Sequence, residues 1–245
     1  MEKVVLITGA SRGIGASTAR IFASNNYNVA INYNDSLECA QKLKFELETN
    51  YGVQALLVKC DVSLESEVKD MVEKVIKEFG HIDVLVNNAG IAIDTLFEDK
   101  TVENFKRTLD VNLMGTFLVS KYVGKYMTER KNGSIVNVSS TNGIDTFYPM
   151  SLDYDASKAG VISLTHNLAL QYAPYIRVNA VAPGWVNTDM NKELTEEFVC
   201  EENRKIMLNR FANAEEIANV IYFLASNQAS YINSEIIRVD GGFKC

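Results

Sequence analysis

Proline, histidine and tryptophan are scarce in this chain of 245 residues, with three, two and one. So few prolines, beside only 14 glycines, exclude a Pro-rich linker and argue against disorder. The two histidines, His81 and His166, stand far apart with no matching ligand set, so a metal centre is not expected. The four cysteines, Cys39, Cys60, Cys200 and Cys245, show neither zinc spacing nor a disulfide framework. They are expected to be reduced thiols of a cytoplasmic protein. No apolar run reaches bilayer length, and Met1 to Ala10 leads directly into a strand and a glycine loop. A cleavable leader is therefore not expected. An excess of basic residues is also missing. The 24 Lys and Arg against 31 Asp and Glu leave a net charge of -7, which excludes nucleic acid and anionic membrane as expected partners.

What is present is alternation. Short apolar runs at Val4–Thr8, Val29–Tyr33, Gln54–Asp61, Asp83–Asn87, Gly133–Ser140, Arg177–Ala182 and Ile236–Val239 read as strands. Between them lie helical stretches at 13–25, 37–50, 64–79, 111–130 and 154–172, with a further helix starting at Thr101–Asn104 and Gly80 as a stop. Strands alternating with helices predict parallel βαβ units. Strand interiors that are almost wholly apolar predict helices on both sheet faces. The expected fold is α/β: a Rossmann-type doubly wound parallel sheet of about seven strands in three αβα layers. Residues 1–245 form one expected dinucleotide-binding catalytic domain. The stretch 187–212 breaks the alternation and is a candidate substrate lid.

Ligands of such sheets bind beyond the carboxyl ends of the strands, and the polar motifs cluster there. Thr8 to Gly15, carrying Gly9, Ser11, Arg12, Gly13, Ile14 and Gly15, follows a strand and opens a helix. Glycines let the backbone turn tightly and bring N–H groups against a diphosphate at a helix start. Strand two ends in Asn32–Tyr33–Asn34, where Asn32 and Tyr33 are expected cofactor contacts, with no carboxylate before Asp35. An acid there favours NAD; its absence, with Arg12 nearby to grip a 2′-phosphate, favours NADPH over NADH. Asp35 is the counter-argument, since it could swing to the ribose. Asp61, with the backbone of Val62, falls where adenine is recognised. Asn88, Ala89 and Gly90 follow strand four beneath the cofactor, and Pro183–Gly184 follows strand six.

The chemistry is carried by Tyr154 and Lys158, four residues apart and so on one helix face, 14 residues or more beyond Ser140. A free phenol, with a pKa of about 10, is a poor proton donor at neutral pH. A lysine one turn away is expected to lower that pKa by stabilising the phenolate. Tyr154 is thus the expected acid for reduction and base for oxidation. Ser140 would hydrogen-bond the substrate oxygen, and Asn112 could hold a water linking Lys158 to solvent. Loss of Tyr154 or Lys158 would have pointed to a nucleotide-binding protein without turnover; both are present.

As a set, Thr8 to Gly15, Asp61, Asn87 to Gly90, Asn112, Ser140, Tyr154 with Lys158, and Pro183–Gly184 resemble the short-chain dehydrogenase/reductase family over almost the full length. The resemblance implies a catalytic tetrad of Asn112, Ser140, Tyr154 and Lys158, with Thr188 on the nicotinamide carboxamide and Val186 against the ring. Asn32–Tyr33, Val181–Gly184, Phe223–Ser226 and Val239–Gly242 are similar to bacterial 3-oxoacyl-[acyl-carrier-protein] reductases. That likeness implies NADPH-dependent reduction of a 3-oxoacyl thioester in fatty acid synthesis, docking of acyl carrier protein, and a homotetramer paired through helices 111–130 and 154–172 and the last strand. Departures include a Ser140–Tyr154 interval one residue longer, the bulky stretch Ile144–Met150, and Asn233–Ser234 before the last strand. The segment 173–176 lacks the basic residue that relatives use for docking, leaving Arg130 and Lys131. A sugar, polyol, steroid or small diketone remains an alternative substrate, with Phe147, Tyr148, Met150 and Trp185 either as an apolar substrate wall or as lid core.

The cofactor argument has a direct check. Arg12→Ala is expected to raise KM for NADPH by about tenfold and KM for NADH by less than about twofold, in steady-state assays with each cofactor. Equal effects would remove the 2′-phosphate contact.

Overall fold

The computed structural model describes residues 2–192 and 194–243. Cys245 lies outside them, as does position 193 of the expected lid. Seven parallel strands form one sheet in the order β3-β2-β1-β4-β5-β6-β9: β1 (Lys3–Ile7), β2 (Tyr27–Tyr33), β3 (Ala55–Lys59), β4 (Val84–Asn87), β5 (Gly133–Val138), β6 (Ile176–Pro183) and β9 (Ile236–Val239). The order reverses between β1 and β4, whose registers pair Val5 with Val84 and Ile7 with Val86. The crevice at the carboxyl ends of these two strands is the switch point where such sheets bind ligands.

Alternation along each strand divides the core in two. Val5 and Ile7 of β1 face a cluster shared with α1 (Gly13–Ser24), α2 (Leu37–Tyr51) and α8 (Ala214–Ala225). Val4 and Leu6 face the opposite cluster, with α3 (Glu65–Phe79) and α5 (Gly115–Arg130). Both faces are covered, which is why the strands read as unbroken apolar runs. No helix of the described residues is long and apolar enough to cross a membrane.

Three elements differ from the sequence expectation. The helix expected to start at Thr101–Asn104 is α4 (Val102–Leu109), capped by Thr101, whose side chain accepts from the Asn104 N–H, but it is not separate from the helix expected at 111–130. It runs on through a wide π turn at Asp110–Met114 into α5. One extra residue in that turn re-aims Asn112, an effect that no apolar periodicity announces. Second, α8 was not anticipated. Its signal is the capping box of Asn213 and Glu216, followed by buried Ile217, Ala218, Ile221, Leu224 and Ala225. Third, the 187–212 stretch is bracketed by a two-stranded parallel pair, β7 (Val186–Asn187) with β8 (Ala212–Asn213), and holds α7 (Glu196–Lys205).

The carboxyl end of α8 depends on Arg177. Its guanidinium donates to the carbonyls of Leu224 (2.8 Å), Ser226 (3.1 Å), Ile232 (3.2 Å) and Ala225 (3.3 Å). Leu224, Ala225 and Ser226 are the acceptors a helix end leaves without partners, while Ile232 belongs to the loop before β9. Arg177→Met is expected to cost about 2–3 kcal/mol, read as a lower urea midpoint, because several carbonyls lose their donor at once.

Candidate active site

The glycine loop is held from both sides of the switch point. The Thr8 hydroxyl accepts from the N–H groups of Asn88 (2.9 Å) and Ala89 (3.0 Å). The Asn88 amide donates back to the carbonyls of Thr8 (2.9 Å) and Gly9 (3.0 Å). From β2, the Asn32 side chain accepts from the Gly9 N–H at 3.0 Å and donates to Cys60 O at 3.0 Å. The Asn32 amide, expected to meet the cofactor, is thus spent inside the protein on fixing the loop.

The loop fits a dinucleotide. Gly9 adopts φ +60°, and a Cβ there would come within 2.9 Å of the Ala89 backbone. On Gly15 a Cβ would meet the Gly9 carbonyl at 2.5 Å and the Asn88 amide at 2.7 Å. No acid lies in the first turn of α1, and Arg12, at its N-cap, makes no side-chain capping hydrogen bond. The first-turn N–H groups therefore remain an anion site. Ser11 precedes this turn and Ile14 lies within it, Arg12 is exposed, Tyr33 ends β2, and Val62 lies in the loop beyond β3. Gly13 approaches Thr188, where the 187–212 segment begins. A cleft of about 470 Å³ opens between them, lined in part by Ser17, Asn187 and Phe211. At the β2 end, Asp35 accepts from the Asn34 amide at 2.8 Å. Asp61 is bonded to Ser63 Oγ (2.7 Å) and Arg107 (2.8 Å). Its carboxylate stays ionised despite burial because these partners stabilise the charge.

Ser140, Tyr154 and Lys158 converge beside that crevice, from the end of β5 and the first turns of α6 (Leu152–Tyr172). Tyr154 lies beside Ser140, which favours its phenolate form, and the Lys158 ammonium lies 5.4 Å from the Tyr154 ring centroid. Lys158 donates to the Val138 carbonyl at 2.8 Å. Gly90 makes room: a Cβ there would sit 3.5 Å from Lys158 Nζ and 3.3 Å from Asn112 Oδ1. Asn112 is buried, accepting from Ile91 N (2.8 Å) and donating to Ile91 O (2.9 Å) and Ser157 Oγ (3.0 Å). Both amide protons are therefore used, and a water could donate only to Oδ1 or to the backbone carbonyl, which also accepts from Thr116 Oγ1.

The electrostatics depart from the expectation that lysine lowers the tyrosine. Although the Tyr154 ring keeps some solvent contact, burial pushes the phenol up to about 12; the neighbouring Ser140 opposes this, and Asp155 and Asp94 add to it. Burial likewise pushes Lys158 down to about 8. In the chain alone, desolvation sets the direction of both shifts, and Lys158 is not among the groups that lower Tyr154.

Sequence reasoning missed Asn142. Its N–H donates to Ser140 Oγ at 3.2 Å, and its amide donates to Asp155 at 2.7 Å, tying the serine to the helix that carries Tyr154. Of the expected apolar wall, Trp185 is lid core. It stacks on Phe211 (5.4 Å), meets Phe198 of α7 edge-on (5.5 Å) and donates to Glu202. Tyr148 reaches Phe198 at 6.3 Å, while Phe147 is exposed. Arg130 pairs with Asp83 (3.2 Å) and Lys131 lies over Tyr175. Both precede β5, at the amino-terminal end of the strands, opposite the end that carries Ser140 and Tyr154.

A family model described as enoyl-(acyl carrier protein) reductase matches residues 9–244. The chain belongs to the short-chain dehydrogenase/reductase family. It is an NAD(P)-dependent oxidoreductase. It is 44% identical over 241 residues to a 3-oxoacyl-[acyl-carrier-protein] reductase of Thermotoga maritima, covering 98% of this chain and 97% of the relative. A 3-oxoacyl-[acyl-carrier protein] reductase of Brucella melitensis, solved with bound NAD, superposes with TM-score 0.91 at 32% identity, covering 100% of this chain and 92% of that one. ElxO, solved with NADP bound, superposes with TM-score 0.90 at 34% identity, covering 98% of each.

The depressed lysine makes stability depend on pH. The unfolded chain holds the Lys158 proton up to about pH 10.4, but the folded chain releases it near 8, so the unfolded state binds more protons in between. Stability should therefore rise from pH 8 to 10, by on the order of 2 kcal/mol from this group. In Lys158→Met that rise should be absent from urea denaturation series.

Proposed function

We propose that this chain reduces a 3-oxoacyl thioester to the 3-hydroxyacyl thioester with NADPH. The juxtaposition of Ser140 and Tyr154, with Lys158 behind them at the switch point, carries this reading. A donor pair of this kind suits a carbonyl oxygen, which gains negative charge as its carbon is reduced. The relatives named as 3-oxoacyl-[acyl-carrier-protein] reductases support the thioester as substrate.

A bound reduced nicotinamide would supply the hydride. Gly9, Ser11, Arg12, Gly13, Ile14 and Gly15 would hold its phosphates. Tyr33, Asp61 and Val62 would hold the adenosine half; Asn88, Ala89, Gly90, Lys158, Pro183, Gly184, Val186 and Thr188 would hold the nicotinamide half. Ser140 fixes the substrate oxygen, Tyr154 donates its proton to it, and Lys158 is the cation that stabilises the phenolate left behind. Asn112 keeps the floor of the site in place through Ile91 and Ser157. NADPH is preferred over NADH because no carboxylate ends β2 before Asp35 and Arg12 is unshielded beside the loop. The 187–212 segment acts as the lid, and Thr188 at its start packs close to Gly13 of the glycine loop.

We assign a homotetramer paired through α5 and α6, supported by the exposed apolar residues Phe117 and Leu170 on those helices. Acyl carrier protein is the proposed source of the acyl group. The position of Arg130 and Lys131 means that a carrier bound there would not face this chain's own site.

Initial rates with a β-ketoacyl thioester, set beside a panel of sugars, steroids and diketones and with both cofactors, test the substrate. Highest kcat/KM with thioester and NADPH is expected; efficient turnover of another panel member instead would transfer the same chemistry to that substrate. Tyr154→Phe is expected to lower kcat by about 10³-fold while leaving NADPH affinity within about twofold, since only the proton donor is lost. Near-wild-type turnover at saturation would show that Tyr154 is not the acid.

A further inference from the structure

Asp153 is wholly buried, and its partner Lys100 exposes only 4% of its side chain. Their ion pair spans 2.9 Å. The other carboxylate oxygen accepts from Thr108 Oγ1 at 2.7 Å, and Lys100 also donates to the Ile93 carbonyl. Two charges withdrawn from water are costly unless directional bonds satisfy them, and such pairs are better suited to specifying a geometry than to adding stability. Here the bonds join three elements: the 91–100 segment, α4 and the first turn of α6.

The residue after Asp153 is Tyr154. On a helix, residues four apart share a face, and the next residue is turned by about 100°. Asp153 and Ser157 therefore form one row of α6, with Tyr154 and Lys158 in the row beside it. The first row is bonded throughout: Asp153 to Lys100 and Thr108, and Ser157 to Asn112. Further ties run from Ser151 to Asp94 (2.5 Å) and from the Thr95 N–H to Met150 O (3.1 Å). Apolar packing alone would let α6 turn or slide in small steps; these bonds do not.

We infer that Lys100, Asp153 and Thr108 are positioning residues for the reaction: their buried bonds set the rotation of the first turn of α6, and so the direction in which Tyr154 and Lys158 point. A paired carboxylate and ammonium add no net charge beside Tyr154, so the effect is geometric. The inference rests on Tyr154 as proton donor.

Thr108→Val removes one hydroxyl and no charge, and so tests the cluster without stranding an ion. With the best-used ketone of the panel, it is expected to lower kcat about 3- to 10-fold, with the NADPH Kd from fluorescence quenching within about twofold of wild type. Thr108→Ser, which keeps the hydroxyl, should return kcat to within about twofold. Asp153→Asn should lose more, about 10- to 100-fold in kcat, since Lys100 is then unpaired. A wild-type kcat in Thr108→Val, or an equal loss of kcat and NADPH affinity there, overturns the inference. If Asp153→Asn does not fold, the Thr108 pair decides alone. Tyr154→Phe in parallel separates the two ideas: turnover lost there but kept in Thr108→Val removes only the positioning role, whereas turnover kept in Tyr154→Phe removes the proton-donor reading itself.

Discussion

The site depends on one knot of hydrogen bonds at the point where the strand order reverses. Thr8, Asn88 and Asn32 lock the glycine loop to β4 and β2 through bonds of 2.9–3.0 Å. A loop that must present its own N–H groups to a ligand cannot also satisfy itself internally, so neighbouring side chains hold it. That is why Asn32 and Asn88 are buried or half-buried at the ends of central strands, where apolar residues would otherwise be expected.

From that knot the arrangement extends through Gly90 and Asn112 to α6. Gly90 is bare where Lys158 and Asn112 come close, and the π turn at 110–114 aims Asn112 back at Ile91 and across to Ser157. The price of this crowding is electrostatic. Burial moves the tyrosine and the lysine in opposite directions, each toward its neutral form. A site in that condition is poised for a bound cation to change the balance, since added positive charge favours the phenolate.

Most of the sheet was legible because parallel strands covered on both faces are compact apolar runs, and helices between them repeat every three to four residues. Strands β1, β2, β4 and β9 fall within a few residues of where pattern alone puts them. The π turn was invisible, since a single extra residue leaves the composition of a helix unchanged. Helix α8 was hidden for another reason: it follows a polar, broken stretch, and its capping box is a signal of two residues, Asn213 and Glu216. Trp185 was ambiguous because an aromatic beside a cleft has the same sequence character whether it faces substrate or, as here, Phe198 and Phe211.

By itself the sequence determined the layer order, the glycine loop and the pairing of Tyr154 with Lys158, because each follows from local spacing along one strand, turn or helix. Only the tertiary structure decided which polar groups are already taken. Asn32 and Asn112 carry the right side chains at the right places, yet their amides are bound to Gly9 and Ile91. It also decided the direction of the tyrosine's shift, and it joined Lys100, Thr108 and Asp153 across up to 53 residues of chain. Hydrogen-bond capacity and desolvation depend on what surrounds a group in space, and neighbours in space are not neighbours in sequence.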